Sequence, residues 1–465
     1  MASAESALLA DLRSLLRDDQ AQPPSAPYLH DATEWRGIVG RADAVVLPES
    51  TEDVRRVLAW CERHAVEVTP RGGGTGLAGG AVPIDGGVVL ALERMREVRA
   101  FDPQLWRINV EAGLRTAELH RLARENGLLF APDPGASEQS QIGGNIATNA
   151  GGPHAYKYGT TRAWVSGIEA VLANGEAITL GGWARKDVAG YDLLGLLVGS
   201  EGTLAVITAA WLKLLPAPEA VLPLVALYPD TRSGCAAIER VIGSGLRVAT
   251  LDYLDAGSIV AARAGFPGEL PAQPGLMVIA EADGSAEEAA RLRDETRDAL
   301  APDALGFHAP ASRAEIDALW RWRDGVGVQI AARRGGKVSE DIVVPVERLA
   351  EAIEQTLAIG ERHGLEALSW GHAGDGNLHS SFLLEPTDRA AVERGERAAQ
   401  ELFALAVELG GAVCGEHGIG WVKRGQLARQ WPPAALALHD AIKHAFDPNG
   451  LLNPGKKPGM LAPPI

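Results

Sequence analysis

The chain has 465 residues, of which 46% are hydrophobic and 22% charged, a composition that excludes a largely disordered protein and allows roughly two to four domains. Its 60 acidic and 44 basic residues give a net charge of −16, which argues against general nucleic-acid binding because a phosphate backbone needs a basic face. Three widely separated cysteines match no disulfide or metal-cluster pattern and favour a reducing compartment. No apolar run could span a bilayer, so we expect a cytoplasmic protein, soluble or peripheral at the inner face of the membrane.

The first 215 residues alternate helical and strand patterns. Residues 1–20 predict an amphipathic helix. Ser50, followed by acidic residues, predicts a capped helix that continues to Cys61. A short strand is expected at 66–69, and the apolar run at 87–92 is typical of a buried strand.

Three prolines between 216 and 223 mark a domain boundary, after which helices are separated by single strands. Ser285 and Ser312 each begin a capping box, and the residues from 387 to 409 predict a long helix. We therefore expect three parts, which are a first domain over 1–215, a second over 216–410 and a C-terminal segment over 411–465.

The glycine-rich segment at 70–80 follows a predicted strand and is the strongest local signal. Glycine has no Cβ, so successive N–H groups can approach an anion closely, and Arg71 adds a positive charge. A diphosphate is the expected guest, and a flexible linker is the alternative. Residues 74–79 also satisfy G-x-G-x-x-G, but a turn and a strand follow instead of the helix that a Rossmann fold requires.

Two further segments are rich in glycine and small residues, at 132–152 and 195–203. The hydroxyl and amide groups of the first could line the face and edge of a large planar cofactor. The second predicts a tight turn that leads into a strand. Three such segments in one region favour a long, extended ligand.

A pair of histidines flanks a Gly-Asp-Gly-Asn turn between two strand-like runs. This pattern predicts a hairpin that brings His372 and His379 close together. Glu416 and His417 follow in another glycine-flanked turn. Two imidazoles and a carboxylate can hold a divalent metal with open positions for substrate. The same donor set is also found in non-haem iron oxygenases and metal hydrolases, so those classes remain open at this point.

The helix that starts near Ser312 carries an arginine on its apolar side. Ile316, Leu319 and Arg323 lie on one face at helical spacing. The guanidinium of Arg323 either reaches back to solvent or points inward to bind a carboxylate through two hydrogen bonds.

Taken together, these motifs resemble the FAD-binding domain of the vanillyl-alcohol oxidase and p-cresol methylhydroxylase superfamily. More narrowly, the chain resembles the FAD-dependent D-2-hydroxyacid dehydrogenases, which include D-lactate dehydrogenase, the glycolate oxidase flavin subunit and D-2-hydroxyglutarate dehydrogenase. The resemblance covers essentially the whole chain. It implies an α+β fold with a two-lobed FAD-binding domain, an α+β substrate (cap) domain, FAD at their junction and a C-terminal segment that returns to the flavin.

The resemblance also implies which residues bind FAD. Thr75 stands where some relatives carry a histidine that attaches FAD covalently, so non-covalent FAD is expected. The implied FAD-binding residues are Arg71, Gly72, Gly73, Gly74, Thr75, Gly76, Leu77, Pro132, Asp133, Gly143, Gly144, Asn145, Thr148, Gly151, Gly202, Ile207 and Asn453.

For the chemistry, the resemblance implies a zinc or manganese ion on His372, His379 and Glu416. It implies that His417 acts as the acid/base and that Arg323 binds the substrate carboxylate. The expected reaction is the oxidation of a 2-hydroxy acid to a 2-oxo acid, with hydride transfer to flavin N5.

Two positions separate the chain from the hydroxyglutarate enzymes, which carry a lysine in place of Ser339 and an asparagine in place of Ser381. Lys337 stands two places before Ser339 and is expected on the same side of its strand, where it would bind substrate. These departures favour lactate or glycolate, with D-2-hydroxyglutarate as the alternative.

Reduced FAD needs an external electron acceptor, for which a quinone, a cytochrome and an iron–sulfur partner subunit are the candidates. A homodimer is compatible with the sequence. A flavin-binding subunit without activity of its own, inside a larger oxidase, is the remaining alternative.

Overall fold

The computed structural model describes residues 7–33, 36–271 and 273–459. The helix predicted at 1–20 lies partly outside these residues, and its described part forms the first helix below. The helices are α1 Ala7–Leu15, α2 Thr51–His64, α3 Thr116–Glu125, α4 Ile142–Thr148, α5 Ala155–Tyr158, α6 Leu193–Leu197, α7 Thr231–Gly243, α8 Ala256–Ala262, α9 Ala286–Leu300, α10 Arg313–Ala332, α11 Leu349–Arg362, α12 Arg389–Glu408, α13 Leu427–Gln430 and α14 Pro433–Phe446.

The strands are numbered in the same way, in chain order. They are β1 Ala21–Gln22, β2 Ala44–Val46, β3 Val68–Arg71, β4 Val88–Ala91, β5 Val98–Asp102, β6 Arg107–Glu111, β7 Leu128–Leu129, β8 Val165–Val171, β9 Ala177–Gly181, β10 Val206–Lys213, β11 Leu215–Pro216, β12 Ala220–Tyr228, β13 Thr250–Asp255, β14 Leu276–Gly284, β15 Gly306–His308, β16 Gly336–Val343, β17 Glu366–His372 and β18 Asn377–Leu384.

The chain forms two compact units. The first consists of Met1–Gly151, Thr160–Ala217 and Glu416–Ile465, and the second of Gly152–Gly159 and Pro218–Gly415. The short segment Gly152–Gly159 therefore belongs to the second unit, although the sequence suggested no break at that point.

The first unit is built around two sheets. In one, the parallel strands β2, β4 and β3 carry β1 at an edge, and in the other, five antiparallel strands follow the order β5-β6-β10-β8-β9. Helices α1 and α2 bury their apolar faces against the first sheet. As predicted, Ser50 caps α2 by accepting a hydrogen bond from the Asp53 N–H. The strand expected at 66–69 runs two residues later, at Val68–Arg71.

The second unit is an antiparallel sheet of seven strands in the order β15-β12-β14-β13-β17-β18-β16. One face packs apolar side chains against α8 and α10, and the helices α7, α9, α11 and α12 lie against the other face. The predicted capping boxes begin α9 at Ser285 and α10 at Ser312. Within the described ranges, none of the helices has the length and apolarity needed to cross a lipid bilayer.

Candidate active site

The predicted histidine hairpin is formed by β17 and β18. Its turn closes at Gly376, whose φ of +65° favours glycine and where a Cβ would collide with the Val344 carbonyl. In the antiparallel register His379 lies opposite Trp370, two residues before His372, so both imidazoles project from the same face of the sheet. The ring centroids are 5.2 Å apart at an interplanar angle of 89°. The sequence prediction that the hairpin brings the two histidines together is therefore confirmed.

A buried aspartate on the neighbouring strand β13 holds one of these histidines. Asp252 is fully buried, and its Oδ1 lies 2.8 Å from His372 Nδ1. Burial raises the pKa of Asp252, but the charges of Arg323 and His372 outweigh it, and the pKa lies below its ordinary value. The sequence analysis missed this residue. The signal that could have found it is an acidic side chain in the middle of an otherwise largely apolar strand, because a buried charge needs a partner.

Arg323, on α10, points into the second unit and is only 6% exposed. Its Nε donates to Asp252 Oδ2 over 2.8 Å. Its Nη2 lies 2.7 Å from the same oxygen, an ion pair in which the N–H is not aligned for a hydrogen bond. Of the two orientations that the sequence left open, the structure shows the inward one. The carboxylate that Arg323 contacts within the chain is that of Asp252.

Lys337 lies on β16 in the alternation predicted from the sequence, on the same side as Ser339. It is 8% exposed, and its Nζ lies 4.4 Å from the centroid of the Trp370 ring. A Cβ added to Gly327 of α10 would lie 3.7 Å from the same Nζ. Burial lowers the pKa of Lys337 to about 7, so its amine is only partly charged at neutral pH.

The segment that carries the remaining predicted residues is anchored to the end of β16. Ala412 pairs with Val343, and the Gly415 N–H donates to Asp341 Oδ2 over 2.7 Å. The boundary between the second unit and the first falls between Gly415 and Glu416. His417 is the next residue in the sequence.

These three predicted ligands can hold a metal. One ligand atom each from His372, His379 and Glu416 lie within 4.8 Å of one another. Two imidazoles and a carboxylate are suitable ligands for zinc and for manganese, and they do not discriminate between the two metals.

In the first unit, the predicted phosphate loop follows β3. Among the described residues, the N–H groups of Gly72, Gly73, Gly74, Thr75 and Gly76 donate no hydrogen bond to protein. Five successive amides without a protein acceptor are suited to an anion such as a diphosphate. The loop is also tightly placed, because a Cβ on Gly73 would collide with the Gln139 carbonyl.

The three glycine segments meet within this unit. A Cβ on Gly72 would lie 3.4 Å from the Cα of Gly144, and one on Gly202 would lie 3.2 Å from Pro70. The second segment contains a helix, α4, that the sequence analysis did not predict. Gly143 fits there because its N–H donates to the Ala112 carbonyl over 2.7 Å, and a Cβ would lie only 2.6 Å from Ala112 Cβ.

The guanidinium of Arg71 lies beside the predicted phosphate loop and is held there by backbone carbonyl oxygens. Its guanidinium donates to the carbonyl oxygens of His30 and Pro27, both over 2.7 Å, and to Ala81 over 3.4 Å. A Cβ on Gly74 would collide with this guanidinium. The guanidinium of Arg71 therefore packs against Gly74 of the loop while it binds backbone carbonyl oxygens of neighbouring segments.

Several other predicted cofactor residues brace the backbone of the first unit. Asn453 donates to the carbonyls of Gly80 and Glu201 over 2.9 and 2.8 Å, and Asn145 donates to Thr116 over 2.7 Å. The Thr148 hydroxyl donates to the Gly144 carbonyl, and the Pro132 carbonyl accepts a hydrogen bond from His120 Nε2. Ile207 is buried on β10, whereas Leu77 is 38% exposed. Gly151 lies against the Glu416 carboxylate, where a Cβ would come within 2.5 Å. Asp133 lies between α3 and α4.

Glu201 is a residue of this region that the sequence analysis missed. Its carboxylate accepts the N–H groups of Ile419 and Gly420 over 2.9 and 2.6 Å and pairs with Lys457 Nζ over 2.9 Å. It thereby ties the third glycine segment to the turn that follows His417. Its backbone has a φ of +55°, a conformation that a residue other than glycine rarely adopts. Contacts with distant residues, rather than its local sequence, therefore hold it in this turn.

Comparison with known protein families matches both units. Residues 42–181 match the FAD-binding domain family, and residues 217–457 match the C-terminal domain of FAD-linked oxidases.

Curated relatives match over most of their length. The chain is 36% identical to the glycolate oxidase subunit GlcD of Bacillus subtilis, over 92% of this chain and 91% of the relative. It is 35% identical to the D-lactate dehydrogenase of Anaerostipes hadrus, with 92% of each covered, and 36% identical to that of Archaeoglobus fulgidus, over 93% and 96%.

Solved structures share the fold at low sequence identity. The p-cresol methylhydroxylase with bound substrate aligns with a TM-score of 0.79 and 19% identity, over 96% of this chain and 95% of that one. The 4-ethylphenol oxidase of Gulosibacter chungangensis aligns with a TM-score of 0.78 and 20% identity, over 98% of each chain. The fold class expected from the sequence is confirmed.

Proposed function

Because the chain belongs to the FAD-linked oxidases, in the group of FAD-dependent oxidoreductases that includes D-lactate dehydrogenases and glycolate oxidase subunits, we propose that it oxidises a small D-2-hydroxy acid. D-lactate and glycolate are the favoured substrates, and the product is the corresponding 2-oxo acid. The observation that carries the proposal is that one chain has both features. The amides of residues 72–76 donate to no protein acceptor, and the histidine hairpin is held by the buried Asp252–Arg323 pair.

We propose that the first unit holds FAD without a covalent bond. The amides of residues 72–76 would bind the diphosphate, and the segments around Gly143 and Gly202 would pass along the rest of the cofactor. When bound, FAD supplies the hydride acceptor for alcohol oxidation. The protein's own contribution includes Arg71, whose guanidinium lies beside Gly74 and is held by three backbone carbonyl oxygens.

We propose that His372, His379 and Glu416 bind a divalent metal. A metal at this position supplies Lewis acidity, which lowers the pKa of a bound hydroxyl. His417 is adjacent to Glu416 in the sequence and would take the hydroxyl proton on a ring nitrogen, because a neutral imidazole nitrogen can accept a proton as a general base.

Arg323 would bind the substrate carboxylate. Asp252 occupies Nε and Nη2, which leaves the Nη1 side of the guanidinium for a second carboxylate. Since the plane of the guanidinium is fixed by Asp252, the substrate carboxylate would be oriented as well as attracted.

The contacts of β16 support a monocarboxylate over the alternative dicarboxylate. Ser339 lies directly opposite Ser381, and their hydroxyls form a hydrogen bond of 2.8 Å. Neither position offers a cation to a second carboxylate. Lys337 is buried against Trp370 with a pKa lowered to about 7, which weakens it as a partner for that group.

The electrons would pass from reduced FAD to an external acceptor, namely a quinone, a cytochrome or an iron–sulfur partner subunit. The chain has three cysteines, fewer than the four that a cluster held by thiolates uses. The second candidate is a flavin-binding subunit that has no activity of its own. It is favoured because the glycolate oxidase relative is a subunit of its enzyme. Turnover of the isolated chain with a dye acceptor would contradict it.

The test is anaerobic reduction of bound FAD by a panel of D- and L-2-hydroxy acids. We expect loss of yellow flavin absorbance with D-lactate or glycolate, and slow or absent loss after treatment with a chelator. His417→Ala should keep FAD but slow its reduction about 10²–10⁴-fold, whereas the exposed His444→Ala should behave as the unmodified protein. A purified chain that takes up no FAD refutes the proposal, and full-rate reduction of His417→Ala refutes the role of that residue.

A further inference from the structure

One buried carboxylate holds two residues that the proposed function uses. Asp252 Oδ1 lies 2.8 Å from His372 Nδ1, and Asp252 Oδ2 accepts from Arg323 Nε over 2.8 Å. Asp252 is fully buried, and the two residues that it contacts are each 6% exposed. These contacts join strands β13 and β17 to helix α10 at a single side chain.

The contact with His372 determines which ring nitrogen can bind a metal. An ionised carboxylate has only acceptor oxygens, so the proton of a neutral His372 must lie on Nδ1, the atom that faces Asp252. The lone pair then lies on Nε2. A carboxylate behind a histidine fixes both the tautomer and the ring orientation, and its loss typically weakens metal affinity about 10–100-fold.

The contact with Arg323 determines the orientation of a guanidinium. Nε and Nη2 lie on the same side of the planar group, and both approach Asp252 Oδ2. A guanidinium held along that side has a fixed plane, so its opposite side has a fixed direction.

We propose that Asp252 is a positioning residue that aligns His372 for metal binding and Arg323 for substrate carboxylate binding. This inference rests on the proposed function. Asp252 acts through these two side chains and does not itself contact the substrate. Its consequence is that metal affinity and substrate affinity depend on the same carboxylate.

A purely structural role is the competing explanation, and β13 offers a matched control. Asp255 lies on the same strand and is 2% exposed. Its carboxylate accepts the N–H groups of Ser258 and Ser369 over 2.7 and 2.9 Å, so it caps α8 and binds backbone. Replacement of Asp255 tests the general effect of removing a buried carboxylate from this strand.

Asp252→Asn changes the chemistry with almost no change in shape. Arg323 only donates, so the amide oxygen must face it, and the amide NH₂ then faces His372 Nδ1. Nδ1 would have to accept, which moves the histidine proton to Nε2, the nitrogen needed for the metal. The substitution therefore favours the tautomer that cannot bind.

The experiment measures metal and substrate binding separately. FAD-loaded protein is stripped with a chelator, dialysed and titrated with Mn²⁺, and free Mn²⁺ is followed by electron paramagnetic resonance. We expect Asp252→Asn to weaken Mn²⁺ binding 10–100-fold and Asp255→Asn to leave it unchanged. At saturating Mn²⁺, the KM for the hydroxy acid should rise at least tenfold in Asp252→Asn.

The outcomes distinguish this inference from the proposed function. Unmodified protein that binds no Mn²⁺ refutes the proposed metal ligands. If the unmodified protein binds Mn²⁺ and Asp252→Asn binds it equally well with an unchanged KM, only the positioning role is refuted. Equal weakening in Asp255→Asn also refutes it. If Asp252→Asn does not fold because the charge of Arg323 is left uncompensated, the double variant Asp252→Asn/Arg323→Gln removes that charge. Weaker Mn²⁺ binding by the double variant supports the positioning role of Asp252, and unchanged Mn²⁺ binding refutes it.

Discussion

Replacement of Lys337 by methionine should stabilise the protein, and more strongly at low pH than at high pH. The folded protein holds this amine at a pKa of about 7 against 10.5 for an ordinary lysine. A difference of about 3.5 pKa units corresponds to roughly 5 kcal/mol. The sign follows from proton binding. Between pH 7 and 10.5 the unfolded chain binds the proton more tightly than the folded one, so stability of the unmodified protein rises with pH across this window.

The magnitude can be compared at two pH values. The charge of Lys337 costs the folded state about 5 kcal/mol at pH 6 and about 2 kcal/mol at pH 9. The advantage of Lys337→Met should therefore fall by about 3 kcal/mol between them, and this difference is independent of how well methionine packs. The cation–π contact with Trp370 offsets part of the cost and makes these figures upper bounds.

The assay is calorimetric unfolding of the FAD-loaded protein at several pH values, with the second unit's transition compared between the two proteins. The exposed Lys186→Met serves as control and should show no pH-dependent difference. An advantage of Lys337→Met that stays constant from pH 6 to 9 would show that the amine is not desolvated in the folded state and would refute the reasoning.

Three further substitutions test the first unit. Arg71→Met removes hydrogen bonds from a charged group worth about 1.5–3 kcal/mol each, so a lower unfolding temperature and faster FAD loss on gel filtration are expected, and unchanged retention would show that the loop does not depend on its support. Gly73→Ala should abolish FAD retention because its Cβ meets a carbonyl, whereas Gly80→Ala, with no atom within 4 Å of its Cβ, should retain FAD. Glu201→Gln should lose about 2–3 kcal/mol of stability, measured by denaturant unfolding, and a loss under 1 kcal/mol would contradict the importance of its ion pair.

Features that depend on neighbours in the chain were predictable from the sequence. The hairpin of His372 and His379 is specified by a turn of four residues between two apolar runs, and the capping boxes at Ser285 and Ser312 by spacings of three. In each case the deciding interaction joins residues only a few positions apart, so the pattern in the sequence is also the pattern of contacts.

The role of Asp252 was not predictable in this way. Its partners Arg323 and His372 lie 71 and 120 positions away, and they are brought to it by the strand order β13-β17 and by the packing of α10. Neither the pairing of these strands nor the position of the helix is written in a local motif. Arg71 shows the same limit, since its carbonyl partners include His30, 41 residues earlier.

The cations that the sequence marked for anion binding have divided roles in the structure. Arg71 and Lys337 both serve the interior, the first bound to carbonyl oxygens and the second desolvated to a pKa of about 7. Under the proposed function, anions would be bound by uncharged amides in the first unit and by Arg323 in the second. There the charge of Arg323 is matched by Asp252, and a divalent ion on two neutral histidines and Glu416 would add a single net positive charge. One positive charge complements one carboxylate, and a second acidic group would depend on Lys337, whose burial lowers its pKa to about 7 and leaves the amine only partly charged at neutral pH.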